Sequence, residues 1–460
     1  METTSPSVVI AISTTTGTAL NLTGPFFQSL GTNGRTCETC HRAAQGWGIS
    51  ADEVKRSFDQ TQGLDPIFRT NDGSNCNHDI DTYTVGGRRK AYSLLTDKGL
   101  IRVTVDVPAT AEFNVIGVLN PYGCNEPVTL SMYRRPLPTT NLRFISALIW
   151  DGRESSTQTG TQKITFATNP ADLLADLAHQ AVDATNGHAQ ASVALTPTQQ
   201  QGIADFEMSL STAQAINFKA GPLNANGATG GPVVLSTVTT PAFFVGINDP
   251  LGGNPQGTAF TPAIFNLFSA WTATPQTGHG HDDDGYDDRH GDRHGDGNAA
   301  SRRESIARGQ ALFNSKAILI KGVAGLNDDL NAVTIPGTCG TCHDSPNVGN
   351  HSVSAPLNIG VSDSSSSLSL KYLPVIKLQN KVTGEIKVTT DPDRVMISGL
   401  WKDVGRFKGP ILRGLASRAP YFHNGSADTL EEVIDFYNKR LNVGITPQER
   451  RDLVAFLKAF

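Results

Sequence analysis

The chain carries Cys37-Glu38-Thr39-Cys40-His41 near its beginning and Cys339-Gly340-Thr341-Cys342-His343 in its last third. Each string is a C-x-x-C-H motif. Two thiols at that spacing add to the vinyl groups of a haem, and the adjacent histidine is held where it must ligate the iron. A zinc site would need two further Cys or His at matching spacing. Two complete copies occur here, and no other paired cysteine supports a zinc cluster. The reading is therefore two covalently bound haem c groups, on Cys37, Cys40 and His41 and on Cys339, Cys342 and His343. Six cysteines are present in all. The remaining pair, Cys76 and Cys124, reads as a disulfide in an oxidising compartment, with two buried free thiols as the plainer alternative.

The rest of the composition bounds the class. The 460 residues are 38% apolar and 18% charged, with a formal net charge of -5. That fits a globular chain with no polyanion-binding surface, so nucleic acid is not an expected partner. Gly (45) and Pro (25) are frequent, which suggests short helices tied together by long loops. No apolar run of about 18 residues exists to span a membrane. The opening METTSPSVVIAIS lacks the basic and apolar regions of a signal peptide. Haem c assembly nevertheless implies a periplasmic or otherwise extracytoplasmic protein, so a leader absent from this sequence is expected.

The distance between the motifs implies two modules. Residues 1–24 read as an N-terminal extension and 25–215 as the first haem module. Residues 216–299 read as an irregular connection, and 300–460 as the second module. In the first, one helix opens at Asn169-Pro170, with Leu173, Leu174, Leu177 and Ala181 on its apolar face. Another opens at Thr196-Pro197 and carries Ile203, Phe206 and Leu210. The segment Gly278–Asn298 is dominated by His, Asp and Gly, and reads as a solvated loop with incidental metal affinity at most. In the second module, Glu304 to Phe313 reads as helix. Asp428 caps a helix with Glu431 at its third position, and Thr446 caps the last one.

Sixth ligands decide what a haem can do: an iron with two strong protein ligands shuttles electrons, and one with an open position binds peroxide or oxygen. Leu430, Val433, Ile434 and Tyr437 share one helical stripe, so Tyr437 points inward with the core. It is a candidate ligand of the second haem, with an ordinary core tyrosine as the alternative. His423, on the loop before that helix, is its rival. On the helix from 170, His188 falls near the Leu173/Leu174/Leu177 face if Asn186-Gly187 does not end the helix first. His179 falls on the opposite side.

Further strings carry a resemblance. The second half holds Phe407-Lys408-Gly409-Pro410, Leu412-Arg413, Ala419-Pro420-Tyr421-Phe422-His423-Asn424-Gly425-Ser426 and Thr429-Leu430-Glu431-Glu432-Val433, and the first holds Trp150-Asp151-Gly152-Arg153. Together with the haem motifs, in this order, they resemble the bacterial di-haem cytochrome c peroxidase family, which includes the MauG-like enzymes. The resemblance implies a mainly α fold: two cytochrome c-like haem domains packed around a shared interface, with long irregular loops. It implies that the N-terminal haem reacts with peroxide and the C-terminal haem supplies electrons by way of Trp150. It puts Tyr437 where such proteins hold the distal ligand of the second haem, and His423 where a more distant oxygenase branch does. It also implies a calcium ion at Arg418 and Pro420, against which the arginine argues. The Gln and Glu that peroxidases place after the Trp-Asp-Gly-Arg string have Gln180 and His188 as nearest equivalents, with no Glu. No His lies between Cys124 and Trp150 to close the first haem, which leaves its distal side open unless Met132 reaches it.

The leading expectation is a peroxide-reducing oxidoreductase in which His188 or Gln180 moves the proton and a small redox protein donates electrons. An oxygenase that binds oxygen and cleaves an organic substrate is the second reading. A non-enzymatic electron carrier is the third.

Overall fold

The computed structural model describes all residues except 1, 6, 7, 16, 18, 79, 155–168, 273–295, 347, 348 and 350–355. The histidine-rich run from 278 to 295 and His351 lie outside the described residues.

The helices predicted from capping signals are present. Asn169 caps Pro170–Gly187 by accepting from the Ala171 and Asp172 amides. Thr196 caps Pro197–Ser209 in a reciprocal box with Gln199. Thr446 and Glu449 form the same box on Pro447–Leu457. The Glu304–Phe313 run sits inside a longer helix, Asp296–Ser315. One cap is displaced by a residue: Thr429, not Asp428, accepts from the Glu432 amide and opens Leu430–Leu441. Thr429 has the extended backbone that aims a hydroxyl at the first turn.

The mainly helical expectation does not hold. Helix accounts for 32% and strand for 16% of the structure. Ile101–Asp106 pairs antiparallel with Thr129–Arg134. Phe113–Leu119, from the first half, pairs with Val375–Asn380, which pairs in turn with Ile386–Thr389. Val8–Thr14 pairs with Leu210–Asn217. The physical reason is a two-residue alternation of β-branched and polar side chains, as in Ile101-Arg-Val-Thr-Val-Asp106. That alternation lies within stretches read as loops.

These sheets place the sites. The Val375–Asn380 sheet closes on Phe113, Leu130, Met132, Trp401 and Val404, an apolar core built from both halves of the chain. A second core packs Phe265, Phe268, Phe313, Leu430, Phe456 and Phe460 around the C-terminal helices. A third gathers Phe26, Trp47, Ala181, Ile203 and Leu210 next to Cys37.

Candidate haem-c sites

Both motifs fold into the same local structure. Cys37–Thr39 and Cys339–Thr341 are single 3₁₀ turns, boxed by Thr36 with Thr39 and by Thr338 with Thr341. His41 N donates to Cys37 O at 3.0 Å, and His343 N to Cys339 O at 3.0 Å. Each imidazole is oriented through Nδ1 on a backbone carbonyl: Trp47 O at 3.1 Å for His41 and Gly349 O at 3.0 Å for His343. That bond fixes the tautomer and leaves Nε2 for an iron. The four thiols are free. Neither motif joins a group of three ligand atoms within 4.8 Å among the described residues, so neither is built as a zinc site. The chemistry of both donor sets fits haem c.

The surroundings differ. The second motif opens onto an apolar cavity of about 280 Å³ whose wall includes Cys339, Cys342, His343, Trp150, His423 and Tyr437. Tyr437 reaches into it from Leu430–Leu441, as the helical stripe predicts. Burial holds its phenol above the usual tyrosine range. His423 stacks on Phe407 at 3.8 Å and meets Trp150 edge-on at 6.0 Å. Its Nε2 is buried with no hydrogen-bond partner among the described residues, and burial pulls the imidazole down to about 3. A neutral imidazole with an unpartnered nitrogen against an apolar cavity is a ligand or acceptor in waiting. Lys408 also lines the cavity, and burial brings its ammonium down to about 8. Trp150 is fixed at both ends: its indole donates to Arg135 O at 2.8 Å, and its carbonyl accepts from Lys408 N at 2.7 Å.

The first motif packs against aromatic rings. Phe26 lies 6.5 Å from His41, and Trp47, Phe26 and Phe206 contact one another edge-on or tilted. Burial, with a smaller push from His188, pulls His41 down to about 4. His188 is thus brought near the first motif. It does not sit on the apolar face: the helix ends at Gly187, and His188 is its exposed C-cap. Asp72 holds its Nδ1 at 2.5 Å, and Arg35 holds Asp72 in turn. Burial alone would raise the Asp72 carboxyl, but the His188 and Arg35 partners outweigh it and lower it. Gln180 is half-buried in mid-helix. Met132 does not reach this site. It is fully buried in the core formed with Trp401 and Val404, where its sulfur accepts from Arg134. His179 is exposed, as expected, and bonds Glu154 at 2.8 Å.

Sequence reading missed several charged groups. Glu207 is buried, accepts from the Thr139 hydroxyl, and raises the nearby Cys37 thiol. Burial pushes its own carboxyl up to about 7. It occupies the i+4 position from Ile203 on a stripe with Phe206 and Leu210, so helical spacing alone places it inward. Arg134 joins Asp151 (2.9 Å), Asp391 (2.7 Å) and Asp393 (2.9 Å) across the two halves. Two charges ending an alternating strand, just ahead of Pro136, were the available signal. Cys76 and Cys124 are bonded, with Cα atoms 5.8 Å apart.

No protein-family model matches the chain. Among curated proteins it is similar to cytochrome-c peroxidase IdrP2 of Denitromonas iodatirespirans. The two are 32% identical over 143 residues, 29% of this chain and 38% of the relative. It is also similar to IdrP1 of that organism, 44% identical over 69 residues (13% and 18%). IdrP2 of Pseudomonas sp. (strain SCT) is 46% identical over 63 residues (12% and 17%). The chain spans well under half the length of each of these relatives. In name they support a haem-c oxidoreductase of peroxidase type. No helix among the described residues is long and apolar enough to cross a membrane.

Proposed function

We propose that this protein is a di-haem c-type oxidoreductase that reduces hydrogen peroxide to water. In this reading the His41 site takes peroxide, and the His343 site accepts and relays electrons from a small redox protein. The observation that carries the proposal is the contrast around two equivalent histidines. Two ligand-capable side chains, Tyr437 and His423, share the apolar cavity of His343. The side chain brought near His41 is a half-exposed, carboxylate-held His188.

When bound, haem c would supply the redox centre at which the O–O bond is cleaved and electrons are stored. The chain's own residues do the rest. His188 moves a proton at Nε2, with Asp72 holding Nδ1 so that the ring stays oriented. Trp150, anchored at indole and carbonyl, keeps an aromatic ring fixed in the cavity wall beside His423 for electron passage. Tyr437 would be the side chain that, with His343, holds the iron at the second site. Its phenol feels both thiols of the motif, whereas His423 feels Asp391 and Arg134. The relatives named cytochrome-c peroxidase favour peroxide over oxygen as oxidant. The Cys76–Cys124 bond suits an oxidising, extracytoplasmic compartment.

Electron paramagnetic resonance of the oxidised protein tests this. One high-spin and one low-spin ferric signal are expected, with only the high-spin signal altered by peroxide, together with peroxide-dependent oxidation of a reduced c-type cytochrome. Two low-spin signals indifferent to peroxide would leave an electron carrier. A stable oxygen complex without peroxide turnover would leave an oxygenase.

A further inference from the structure

Arg135 follows the last residue of strand Thr129–Arg134 and points its guanidinium the opposite way from Arg134. It is buried. Its Nη1 donates to Lys98 O at 2.9 Å, and its Nη2 to Ile49 O at 2.5 Å and Arg418 O at 2.9 Å. The acceptors come from three separate segments, two in the first half of the chain and one in the second. All are neutral backbone carbonyls. Arg134, by contrast, is surrounded by carboxylates. The charged or titratable groups that bear on Arg135 are Arg418 and Tyr421, neither of them a carboxylate. The chain is shaped to admit this side chain. Gly99 has φ +61°, and a Cβ there would stand 2.0 Å from Arg135 Nη1. Burial, and Arg418 beside it, lower the guanidinium only to about 9, so it remains a cation at neutral pH.

A ring of carbonyl oxygens closing on one positive charge is the chemistry of a hard-cation site. Here the cradle is filled by the chain itself, and one of its carbonyls, Arg418 O, belongs to a position where the resemblance alone implies a calcium ion. The residues present do not fit that ion: among the described residues no carboxylate faces the cradle, and a guanidinium stands in it. We propose that Arg135 is the resident cation of the seam between the two halves. It occupies the carbonyl cradle that a divalent metal would otherwise take and makes the fold independent of calcium. Its main chain carries the effect to the cavity wall, since Arg135 N donates to His423 O at 2.6 Å and Arg135 O accepts from the Trp150 indole. Arg135 is in this sense a positioning residue. The inference stands whether or not the protein reduces peroxide.

Three measurements on the holoprotein test it. Elemental analysis should find no stoichiometric calcium, and a calcium chelator should leave the thermal midpoint unmoved; one calcium per chain, or a midpoint that falls with chelator, overturns the proposal. Arg135→Ala should lower the midpoint by roughly 5 °C or more. Low-millimolar methylguanidinium should restore part of that loss, while methylurea, similar in shape but neutral, should not. Equal rescue by both, or by neither, would mean that the cradle does not select a cation. If Arg135→Ala does not fold, Arg135→Lys should fold with a midpoint below wild type, unaffected by chelator; a midpoint equal to wild type, or one that falls with chelator, contradicts the assignment.

Discussion

The two C-x-x-C-H turns are nearly interchangeable, and what surrounds them is not. Each has a threonine box, the same histidine-to-cysteine backbone bond, and an imidazole held on a carbonyl at about the same distance. Beyond that, His343 faces an apolar cavity furnished with a phenol and a neutral imidazole. His41 is packed by Phe26 and Trp47 and flanked by Arg35, Asp72, His188 and buried Glu207. A five-residue motif fixes the local turn. In the reading proposed above, the environment, drawn from distant segments, decides which iron is saturated and which is reached by protons.

The sharpest way to break this comparison is to remove each attachment in turn. Replacing Cys339 and Cys342 by Ser, or Cys37 and Cys40 by Ser, should leave one haem per chain by pyridine haemochrome assay. The losses in stability should be unequal. An unfilled apolar cavity of 280 Å³ should cost on the order of 5 kcal/mol in urea unfolding at the second site. The first site has aromatic packing to fall back on and should lose less. Equal losses would end the claim that the two environments differ in kind.

The next effect belongs to the first site alone. Glu207 has its carboxyl raised by burial to about 7 from an ordinary 4.5. A raised carboxyl binds its proton more tightly in the folded state, so stability is fully present below about pH 4.5 and is lost as pH rises through about 7. Glu207→Gln should therefore be neutral near pH 4 and stabilising by about 3 kcal/mol near pH 8. Denaturant midpoints across that range check it; a pH-independent difference would refute it.

Asp72 has the opposite sign. His188 and Arg35 hold its carboxyl below the usual value despite burial, so its contribution is present above about pH 4 and is lost on acidification. Asp72→Asn should cost about 1–3 kcal/mol at pH 7 and much less near pH 3. It should also slow the peroxide reaction without loss of haem. A normal rate would remove His188 from the proton path.

Tyr437→Phe should have the smallest effect on stability, within about 1 kcal/mol, since only a hydroxyl is lost. It should change the absorption spectrum of the second haem and leave the first unaltered. A spectrum unchanged at both haems would pass the ligand role to His423.

The sequence went furthest where a short stretch of chain carries the constraint. Both attachment motifs, the capped helices at 170, 197 and 447, and the inward stripe that delivers Tyr437 were all legible. The strands at 101–106, 113–119 and 375–389 were visible only as alternation inside stretches that look like loops. The error in fold class came from taking the mainly α fold that the resemblance implies over that period. For His188 the Asn186-Gly187 signal gave the stop that the structure has, but a helical wheel says nothing about which segment crosses the helix end. Asp72 and Arg35 are more than a hundred residues upstream.

Sequence by itself determined the two C-x-x-C-H turns and which histidine each presents, because the residues of a motif lie at most four apart. The tertiary structure alone decided that Met132 is core rather than ligand, that Trp150 and His423 share a wall of the second cavity, and that Arg135 sits in a cradle of carbonyls from three segments. Each of these depends on contacts between residues far apart in the chain, whose meeting is set by how sheets and cores pack rather than by any local pattern of side chains.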